Sequence, residues 1–205
     1  MTVVASRTLF RIFYRLGFTP WDGHPLQPRL RELIEGSTTT PALTPGVALD
    51  LGCGTGDPPL SPAGPGGAVT GIAFVPAALA KARRKAAQRN VAVDFVHADV
   101  TQLTEAGLPG GYTLIVDTGC LHNLPTEQRL AYAREVTAVA APDARLFLVG
   151  YPPNTQRGVL GITEAELRGL LEPDWSLMST NDPHSIPAGE APVRDFLFQK
   201  QPLHS

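Results

Sequence analysis

Three glycines at alternate positions follow a short apolar segment, and this arrangement is suited to binding a ligand through the backbone. The segment Val47–Leu51 reads V-A-L-D-L, and G-C-G-T-G follows it at residues 52–56. Glycines at 52, 54 and 56 allow a sharp turn and a close approach of a ligand, because no Cβ stands in the way. Asp50 adds a carboxylate at this turn, which favours a positively charged ligand over a pyrophosphate.

The spacing of these glycines argues against two other nucleotide-binding motifs. The nicotinamide fingerprint G-x-G-x-x-G would place its last glycine at position 57, which is Asp57 in this chain. The phosphate-binding pattern G-x-x-x-x-G-K-[ST] does not occur in the sequence. A nicotinamide-dependent oxidoreductase is therefore disfavoured.

Short apolar segments alternate with helical patterns along the middle of the chain, which predicts parallel β-α-β units. Strands are predicted at 47–51, 68–72, 91–97, 112–117, 145–150, 175–178 and 193–198. Helices are predicted at 6–18, 76–89, 125–140 and 163–171, the last of which opens with the capping box T-E-A-E. We expect an α/β fold, doubly wound, with a mostly parallel seven-stranded sheet and helices on both faces.

Length and composition limit the possible classes of protein. The chain has 205 residues and a formal net charge of -2, from which we expect one domain over 1–205 and no nucleic-acid partner. Cys53 and Cys120 are too few for a disulfide framework, and the scattered histidines show no metal-ligand spacing. No apolar run is long enough to span a bilayer. We expect a cytoplasmic protein without a metal; the oligomeric state has no signal in the sequence.

The predicted helix at 6–18 has an apolar face and a basic face. The apolar residues at helical spacing are Leu9, Phe13 and Leu16, with Phe10 and Ile12 beside them, and the arginines are Arg7, Arg11 and Arg15. No acidic residue precedes Asp22, so a transit peptide or a membrane-surface helix also fits the composition. We favour a packed helix with a solvated basic face and no stable membrane association.

Residues 46–150 resemble the class I S-adenosylmethionine (SAM)-dependent methyltransferases. The matching segments are V-A-L-D-L-G-C-G-T-G (47–56), F-V-P-A-A-L-A-K-A-R (74–83), F-V-H-A-D-V (95–100), Y-T-L-I-V-D-T-G-C-L-H (112–122) and R-E-V-T-A-V-A-A-P-D-A-R-L-F-L-V (134–149). The resemblance implies a Rossmann-like fold, SAM as cofactor, and methyl transfer to an O, S or N atom of a small molecule. It divides the chain into an N-terminal helix and lid region (1–45), a cofactor-binding core (46–150) and C-terminal substrate-side elements (151–205). The segments P-W-D-G-H-P and D-T-G-C-L-H are similar to a small-molecule branch near the thiopurine and tellurite-type methyltransferases.

The same resemblance implies roles for individual residues. The implied cofactor-binding residues are Asp50, Gly52, Cys53, Gly54, Gly56, Ala73, Phe74, Asp99, Val100 and Asp117. Asp50 and the glycines would hold the methionine part of SAM, and Asp99 with the amide of Val100 would contact the adenine edge. Asp117 and the residues after it would line the floor beneath the methyl group. For Asp99 and Asp117, a turn cap after a strand is the alternative.

His122 is the candidate general base, because it follows Asp117 by five residues and its ordinary pKa suits a base near neutral pH. A satisfied loop histidine is the alternative. Tyr14, Trp21 and Tyr151 are candidates for lining an acceptor pocket, with plain packing as the alternative for each. Cys120 is interpreted as a small buried residue rather than a thiol nucleophile.

Two departures from the family pattern motivate a second function. Ala73 stands where the family has an acid that binds the ribose hydroxyls, and losing such an acceptor costs about 1.5–3 kcal/mol. Residues 57–67 read D-P-P-L-S-P-A-G-P-G-G where the family has a helix, and Pro62 and Pro65 make a regular helix improbable. The alternative is therefore a methyltransferase-like binding or scaffold protein with impaired catalysis.

Overall fold

The computed structural model describes residues 7–19, 22–23, 26–38, 41–44, 46–57, 67–155, 158–181 and 192–202. The strands of these parts are β1 Val47–Leu51, β2 Ala68–Ala73, β3 Asp94–His97, β4 Tyr112–Asp117, β5 Ala140–Gly150, β6 Trp175–Thr180 and β7 Arg194–Lys200. The helices are α1 Arg7–Leu16, α2 Pro28–Glu35, α3 Pro76–Gln88, α4 Thr126–Val139 and α5 Glu164–Leu171, with a 3-10 helix at Leu121–Asn123.

The strands form one seven-stranded sheet in the order β3-β2-β1-β4-β5-β7-β6. The first five strands pair in parallel, and β7 is antiparallel to both β5 and β6. The order reverses between β1 and β4, and the crevice outside the carboxyl ends of the strands at such a point is where open α/β sheets bind ligands. The predicted fold class is confirmed, and the glycine turn after β1 lies at this edge.

Helices cover both faces of the sheet, and each face has its own apolar cluster. Leu30 of α2 packs on one face with Ala48, Val116 and Phe147. The opposite face holds the larger cluster, in which Tyr132, Val136, Leu167 and Leu171 of α4 and α5 pack against Leu49, Ile115, Leu146 and Leu148. The central strands are therefore buried on both sides, which explains their near-continuous apolar sequences.

A buried polar network joins α2 to the antiparallel end of the sheet. Asp195 of β7 is only 2% exposed and is paired with Arg29 of α2. Arg29 also donates to the Ser179 hydroxyl at 2.7 Å, and the Asn181 amide donates to Asp195 at 2.8 Å. Helix α2 was not predicted from the sequence, although Pro28 occupies its first turn as is usual for a helix start.

Helix α1 was predicted, but its packing face agrees only in part with the predicted apolar side. The buried side chain of α1 is Tyr14, which clusters with Val75, Ala78, Phe10 and Phe74. Leu16 of the predicted apolar face is 75% exposed. The helix thus packs through its aromatic side, since Phe10 and Tyr14 lie four residues apart and share a face.

Some further sequence predictions differ from the structure or fall outside it. Strand β5 begins at Ala140, five residues before the predicted start. Leu130 of α4 is exposed, whereas Arg129 and Tyr132 of the same helix are buried. The capping box of α5 is confirmed, with Thr163 and Glu166 bonding to each other's backbone N–H. Trp21 and the prolines of 58–66 lie outside the described residues.

Candidate active site

The glycine turn after β1 brings bare backbone against two side chains from elsewhere in the chain. Gly52, Gly54 and Gly56 have φ values of 72°, 54° and 76°, a region that other residues rarely adopt. A Cβ on Gly52 would lie 2.9 Å from the Cβ of Cys120, and one on Gly54 would lie 3.0 Å from the Tyr14 hydroxyl. The turn therefore needs glycine both for its conformation and for the close approach of its neighbours.

Asp57 fixes the end of the glycine turn to α3. Its carboxylate is paired with Lys85 and with Arg89, the latter at 2.7 Å, and Lys85 also donates to the Thr55 hydroxyl at 2.7 Å. Burial acts to raise the pKa of Asp57, but the bonds from Lys85 and Arg89 outweigh it and hold the pKa below its usual value. The residue that breaks the nicotinamide fingerprint thus anchors the turn.

Asp50 is a half-buried carboxyl whose ionisation is disfavoured. Burial raises the pKa of Asp50 to about 7, and the nearby Asp117 carboxylate adds to the shift. A cation placed beside Asp50 would stabilise its ionised form by Coulomb attraction. The turn is therefore poised to bind a cationic ligand group near neutral pH.

Asp117 organises the loop after β4. Its carboxylate accepts from the backbone N–H groups of Gly119, Cys120 and Leu121 at 2.9, 2.7 and 3.0 Å, and from the Tyr132 hydroxyl at 2.7 Å. Burial raises the pKa of Asp117, and these four bonds oppose the shift. The side chain is completely buried, so the geometry supports the turn-cap alternative and gives Asp117 an effect on the site only through the loop that it holds.

The loop held by Asp117 places Cys120 at the glycine turn. The thiol sits near Asp117, Asp99 and Asp50, and burial followed by the Asp117 charge raises its pKa well above the usual value. Cys120 is therefore a protonated lining residue and a poor nucleophile at neutral pH. The sequence analysis missed the contact of Cys120 with Gly52 and the hydrogen bond from Tyr132 to Asp117. Nothing in the sequence marks a tyrosine on a helix as the partner of a distant aspartate.

Asp99 is engaged by α1 as well as by its own turn. Its carboxylate accepts from the backbone N–H and hydroxyl of Thr101 at 3.0 and 2.8 Å, and pairs with Arg7 at 2.5 Å. Burial acts to raise the pKa of Asp99, but the bonds from Thr101 and Arg7 lower it overall. The turn cap is present, and Arg7, which the sequence placed on a solvated face, is a second partner of this candidate adenine contact.

Ala73 ends β2 and Phe74 follows it, on the side of the site next to Asp99. Arg7 lies 5.9 Å above the centre of the Phe74 ring, and the Phe10 ring meets Phe74 edge-on at 6.2 Å. Ala73 is buried, with Cys53 and Leu79 in its apolar cluster. Strand β2 thus places an apolar methyl and no carboxylate at position 73, where the resemblance implies a ribose-binding acid.

Two of the predicted cofactor residues point their side chains into the protein. The Cys53 thiol is buried, and burial and the Asp50 charge raise its pKa well above the usual value. The Val100 side chain belongs to the core cluster beneath the sheet edge. Any contact of Cys53 or Val100 with a ligand at this edge would be through the backbone.

His122 lies in the 3-10 helix after β4 and is buried beside Tyr151. Its Nδ1 is 3.4 Å from the Val149 carbonyl oxygen, and its ring meets the Tyr151 ring edge-on at 5.2 Å. Burial lowers the pKa of His122 to about 4, and the Arg129 charge contributes to the shift. The expectation of a base with a near-neutral pKa was therefore wrong. The ring is neutral at physiological pH, with Nε2 as an acceptor when Nδ1 carries the proton.

Arg129 ties the His122 loop to the C-terminal part of the chain. Its guanidinium donates to the carbonyls of Leu124 and Gly161 at 3.0 and 2.8 Å, and pairs with Glu166 at 3.2 Å. The Gly161 N–H in turn donates to the His122 carbonyl at 3.0 Å. The sequence analysis missed Arg129, because an arginine on a helix is ordinarily exposed.

A cavity of about 250 Å³ lies at the carboxyl end of β5, close to this loop. Its lining includes Pro152, Pro153, Ile162, Glu164, Arg194 and Phe196. Gly150, which also lines it, is the chain neighbour of Tyr151. The cavity is thus a further space at the carboxyl edge of the sheet.

The part of the chain that the structure describes contains neither a metal-binding cluster nor a membrane-spanning helix. Its histidine, cysteine, aspartate and glutamate side chains nowhere form a group of three or more that could hold a metal ion. None of its helices combines the length and the apolar character needed to cross a bilayer.

The residues at this edge fit a ligand with a cationic end and a flat, amine-bearing end. The glycine turn offers bare backbone and the Asp50 carboxyl, and Asp99 and Phe74 offer an acceptor and an aromatic ring next to each other. SAM has this distribution of groups. Helix α1 covers this edge, because its Tyr14 hydroxyl approaches Gly54 and its Arg7 pairs with Asp99.

The strand order and the glycine turn define a Rossmann-like methyltransferase fold. Residues 48–143 match the family model described as a methyltransferase domain. A 2-heptyl-1-hydroxyquinolin-4(1H)-one methyltransferase of Mycobacteroides abscessus is 30% identical over 164 residues, which cover 77% of this chain and 69% of the relative. The chain therefore belongs to the class I SAM-dependent methyltransferases.

Solved structures agree with this fold. The protein studied in work on the conversion of a disulfide bond into a thioacetal group during echinomycin biosynthesis has a TM-score of 0.75 and 25% identity, with 96% of this chain and 92% of that chain covered. The 1,6-didemethyltoxoflavin-N1-methyltransferase of Burkholderia thailandensis was solved with 1,6-didemethyltoxoflavin and S-adenosylhomocysteine bound. It has a TM-score of 0.71 and 20% identity, and the match covers 96% of this chain and 87% of that chain.

Proposed function

We propose that this enzyme transfers the methyl group of SAM to an O, S or N atom of a flat small molecule whose heteroatom ionises readily. The observation that carries the proposal is the loop after β4. The buried Asp117 carboxylate folds this loop so that Cys120 meets the glycine turn and His122 lies beside Tyr151. Cofactor-side and acceptor-side residues are thereby held at one edge of the sheet.

The cofactor, when bound, supplies an activated methyl group, so the protein has chiefly to align donor and acceptor. Asp50 and the glycine turn would hold the cationic end, and Asp99 with Phe74 the adenine end. We propose the same roles for the three segments that the resemblance implies. Residues 1–45 would cover the site, residues 46–150 would hold the cofactor, and residues 151–205 would shape the acceptor side.

The low pKa of His122 narrows the class of acceptor. A neutral imidazole with a pKa of about 4 is too weak a base to deprotonate an aliphatic alcohol, but it can accept a hydrogen bond from a more acidic group. An acceptor with an N-hydroxy, phenol-like, thiol or ring N–H group matches this chemistry. The names of the quinolone and toxoflavin relatives describe acceptors that are nitrogen heterocycles, which supports the same class.

Two measurements test the proposal. Calorimetric titration with SAM and S-adenosylhomocysteine should show binding to the glycine turn, and failure to bind at millimolar ligand would contradict it. Transfer of a labelled methyl group is then measured on a panel that includes hydroxyquinolones, thiopurines and tellurite. The assignment to the thiopurine or tellurite-type branch stays a prediction that this panel decides.

The alternative is a methyltransferase-like binding protein with impaired catalysis, favoured by Ala73 and by the pairing of Arg7 with Asp99. Ala73→Asp separates the two, with Ala80→Asp on the exposed side of α3 as the matched control. A large gain in SAM affinity for Ala73→Asp alone indicates an intact pocket that lacks one acceptor. Measurable transfer by the unmodified protein excludes the alternative.

A further inference from the structure

Helix α1 has two faces with different surroundings. The inner face lies on the cofactor site, where Arg7 pairs with Asp99 and the Tyr14 hydroxyl approaches Gly54. On the outer face, Ile12 and Leu16 are 46% and 75% exposed. Phe18, two residues beyond the helix, is 57% exposed.

The exposed apolar side chains are concentrated on this helix. Six large apolar side chains are exposed among the described residues, and three of them lie between residues 12 and 18. The other three are Val47, Leu130 and Met178, each on a different element. Single exposed apolar residues are ordinary on a protein surface, whereas a cluster indicates an interaction surface.

The charges beside this cluster have one sign. Arg11 and Arg15 are exposed and lie one helical turn apart, next to Ile12 and Leu16. No acidic residue occurs before Asp22. An apolar stripe flanked by arginines and free of acids is the pattern of a helix that lies in the interface of an anionic bilayer.

We propose that the outer face of α1, made of Ile12 and Leu16 with Arg11 and Arg15, docks together with Phe18 reversibly on a membrane surface that contains anionic lipids. Two copies of this face would bring arginines of the same sign together, so self-association is disfavoured. Without a lipid anchor, a helix of this size binds a bilayer weakly and reversibly.

The position of α1 gives this docking a functional consequence, which rests on the proposed function. An α-helix is about 10 Å across. A bilayer in contact with the outer face of α1 therefore lies about one helix diameter from the glycine turn that the inner face covers. The substrate class that fits this arrangement is a lipophilic acceptor, which is concentrated in the bilayer and enters the site beside α1.

Cosedimentation with vesicles tests the docking on the full chain. The probes are vesicles of phosphatidylcholine alone and vesicles of phosphatidylcholine mixed with phosphatidylglycerol, each at low and high salt. We expect binding to the anionic vesicles only, weakened by salt because screening reduces the attraction of Arg11 and Arg15.

Two double variants with matched controls locate the surface. Ile12→Ser with Leu16→Ser removes the apolar stripe, and Leu130→Ser with Met178→Ser removes as many exposed apolar side chains elsewhere. Arg11→Gln with Arg15→Gln removes two charges, and Arg84→Gln with Arg134→Gln changes the net charge equally on α3 and α4. We expect each α1 variant to lower the vesicle partition coefficient about tenfold or more, and its control to leave it nearly unchanged.

The readouts distinguish the docking from the proposed function. Circular dichroism and S-adenosylhomocysteine binding without vesicles establish that each variant is folded, and loss of cofactor binding in all proteins would instead contradict the proposed function. The docking is overturned if the unmodified protein does not bind anionic vesicles, or if the α1 variants bind as well as their controls. It is also overturned if sedimentation shows a dimer that only the Ile12→Ser, Leu16→Ser variant loses.

Discussion

A few buried polar contacts decide what this site can do. The Asp117 carboxylate is fully engaged in hydrogen bonds to the loop after β4, and the Asp99 carboxylate bonds to its own turn and to Arg7. The His122 ring is neutral because it is buried. The glycine turn and Asp50 remain as the groups that can respond to a cationic ligand. The chemistry of the site thus follows from which carboxylates are already satisfied by the protein.

Tyr132→Phe should destabilise the protein more than Tyr112→Phe does. Both tyrosines are fully buried, but Tyr132 donates to the Asp117 carboxylate at 2.7 Å and Tyr112 donates to the neutral Thr70 hydroxyl at 3.3 Å. A hydrogen bond to a charged group contributes about 1.5–3 kcal/mol and a neutral one about 0.5–1.5 kcal/mol. Urea unfolding of the two variants measures the difference, and equal losses would mean that Asp117 is adequately held by the backbone alone.

Arg7→Gln should strengthen the binding of S-adenosylhomocysteine, because it frees one oxygen of Asp99 for the ligand. The side chains of this ion pair are 44% and 18% exposed, so its contribution is about 0.2–1 kcal/mol, or at most about fivefold in affinity. Calorimetric titration measures the change, with Arg11→Gln as the control one turn away. Weaker binding by Arg7→Gln would show instead that Arg7 closes over the bound ligand.

The glycine turn could be predicted from individual residues, but the partners of the carboxylates could not. Alternating glycines after a buried strand have few structural explanations, and the structure places all three at positive φ. By contrast, a turn cap and a ligand contact require the same residue type at the same position, as Asp117 illustrates. The low pKa of His122 results from burial by segments distant in sequence. The ordinary pKa of histidine therefore did not predict the protonation behaviour of His122.

At the scale of elements, the site depends on how α1 and the loop after β4 are attached to the sheet. The sequence predicts the bounds of β1 and β4 correctly, because strands buried on both faces are nearly continuous apolar segments. It predicts α1 but only part of its packing face, since the arginines, the aliphatic residues and the aromatic residues all recur at helical spacing. It misses α2, which begins in a proline-rich region that favours turns.

Arg129→Lys should impair acceptor use more than cofactor binding. The planar guanidinium bonds to Leu124, Gly161 and Glu166 at once, and a lysine ammonium cannot satisfy all three positions. We expect a loss of about 1–3 kcal/mol of stability, a higher KM for the acceptor and nearly unchanged S-adenosylhomocysteine affinity. Arg134→Lys on the exposed side of α4 is the control, and steady-state kinetics with calorimetry distinguish the two effects. A parallel loss of cofactor affinity would contradict a role confined to the acceptor side.

At the scale of the whole molecule, Asp50 and His122 oppose each other in the pH dependence of stability. The folded-state pKa of Asp50 is raised from 3.8 to about 7, so ionisation of Asp50 destabilises the fold increasingly as the pH rises through this interval. The folded-state pKa of His122 is lowered from 6.5 to about 4, so its contribution is complete above pH 6.5 and is lost as the pH falls toward 4. The two effects partly cancel across the same range.

Asp50→Asn should therefore stabilise the ligand-free protein at pH 8 and leave it nearly unchanged at pH 4. A shift of three pKa units corresponds to a stabilisation on the order of 4 kcal/mol at pH 8. Cation binding at the turn should also lower the pKa of Asp50 and release a proton near pH 7. Titrations in buffers of different ionisation enthalpy measure this release, which should be larger for SAM than for S-adenosylhomocysteine and absent in Asp50→Asn. Equal release by the variant would place the titrating group elsewhere.

The place of β7 between β5 and β6 has a consequence for how the chain is made. Residues 194–200 are synthesised after the other six strands of the sheet, yet they supply the strand that pairs with both of these neighbours and the aspartate that pairs with Arg29. Until they emerge, the nascent chain presents β5 as an open hydrogen-bonding edge that invites association with other chains. The synthesis of β7 is thus the step at which the open edge of β5 becomes paired and the intermediate loses its tendency to associate.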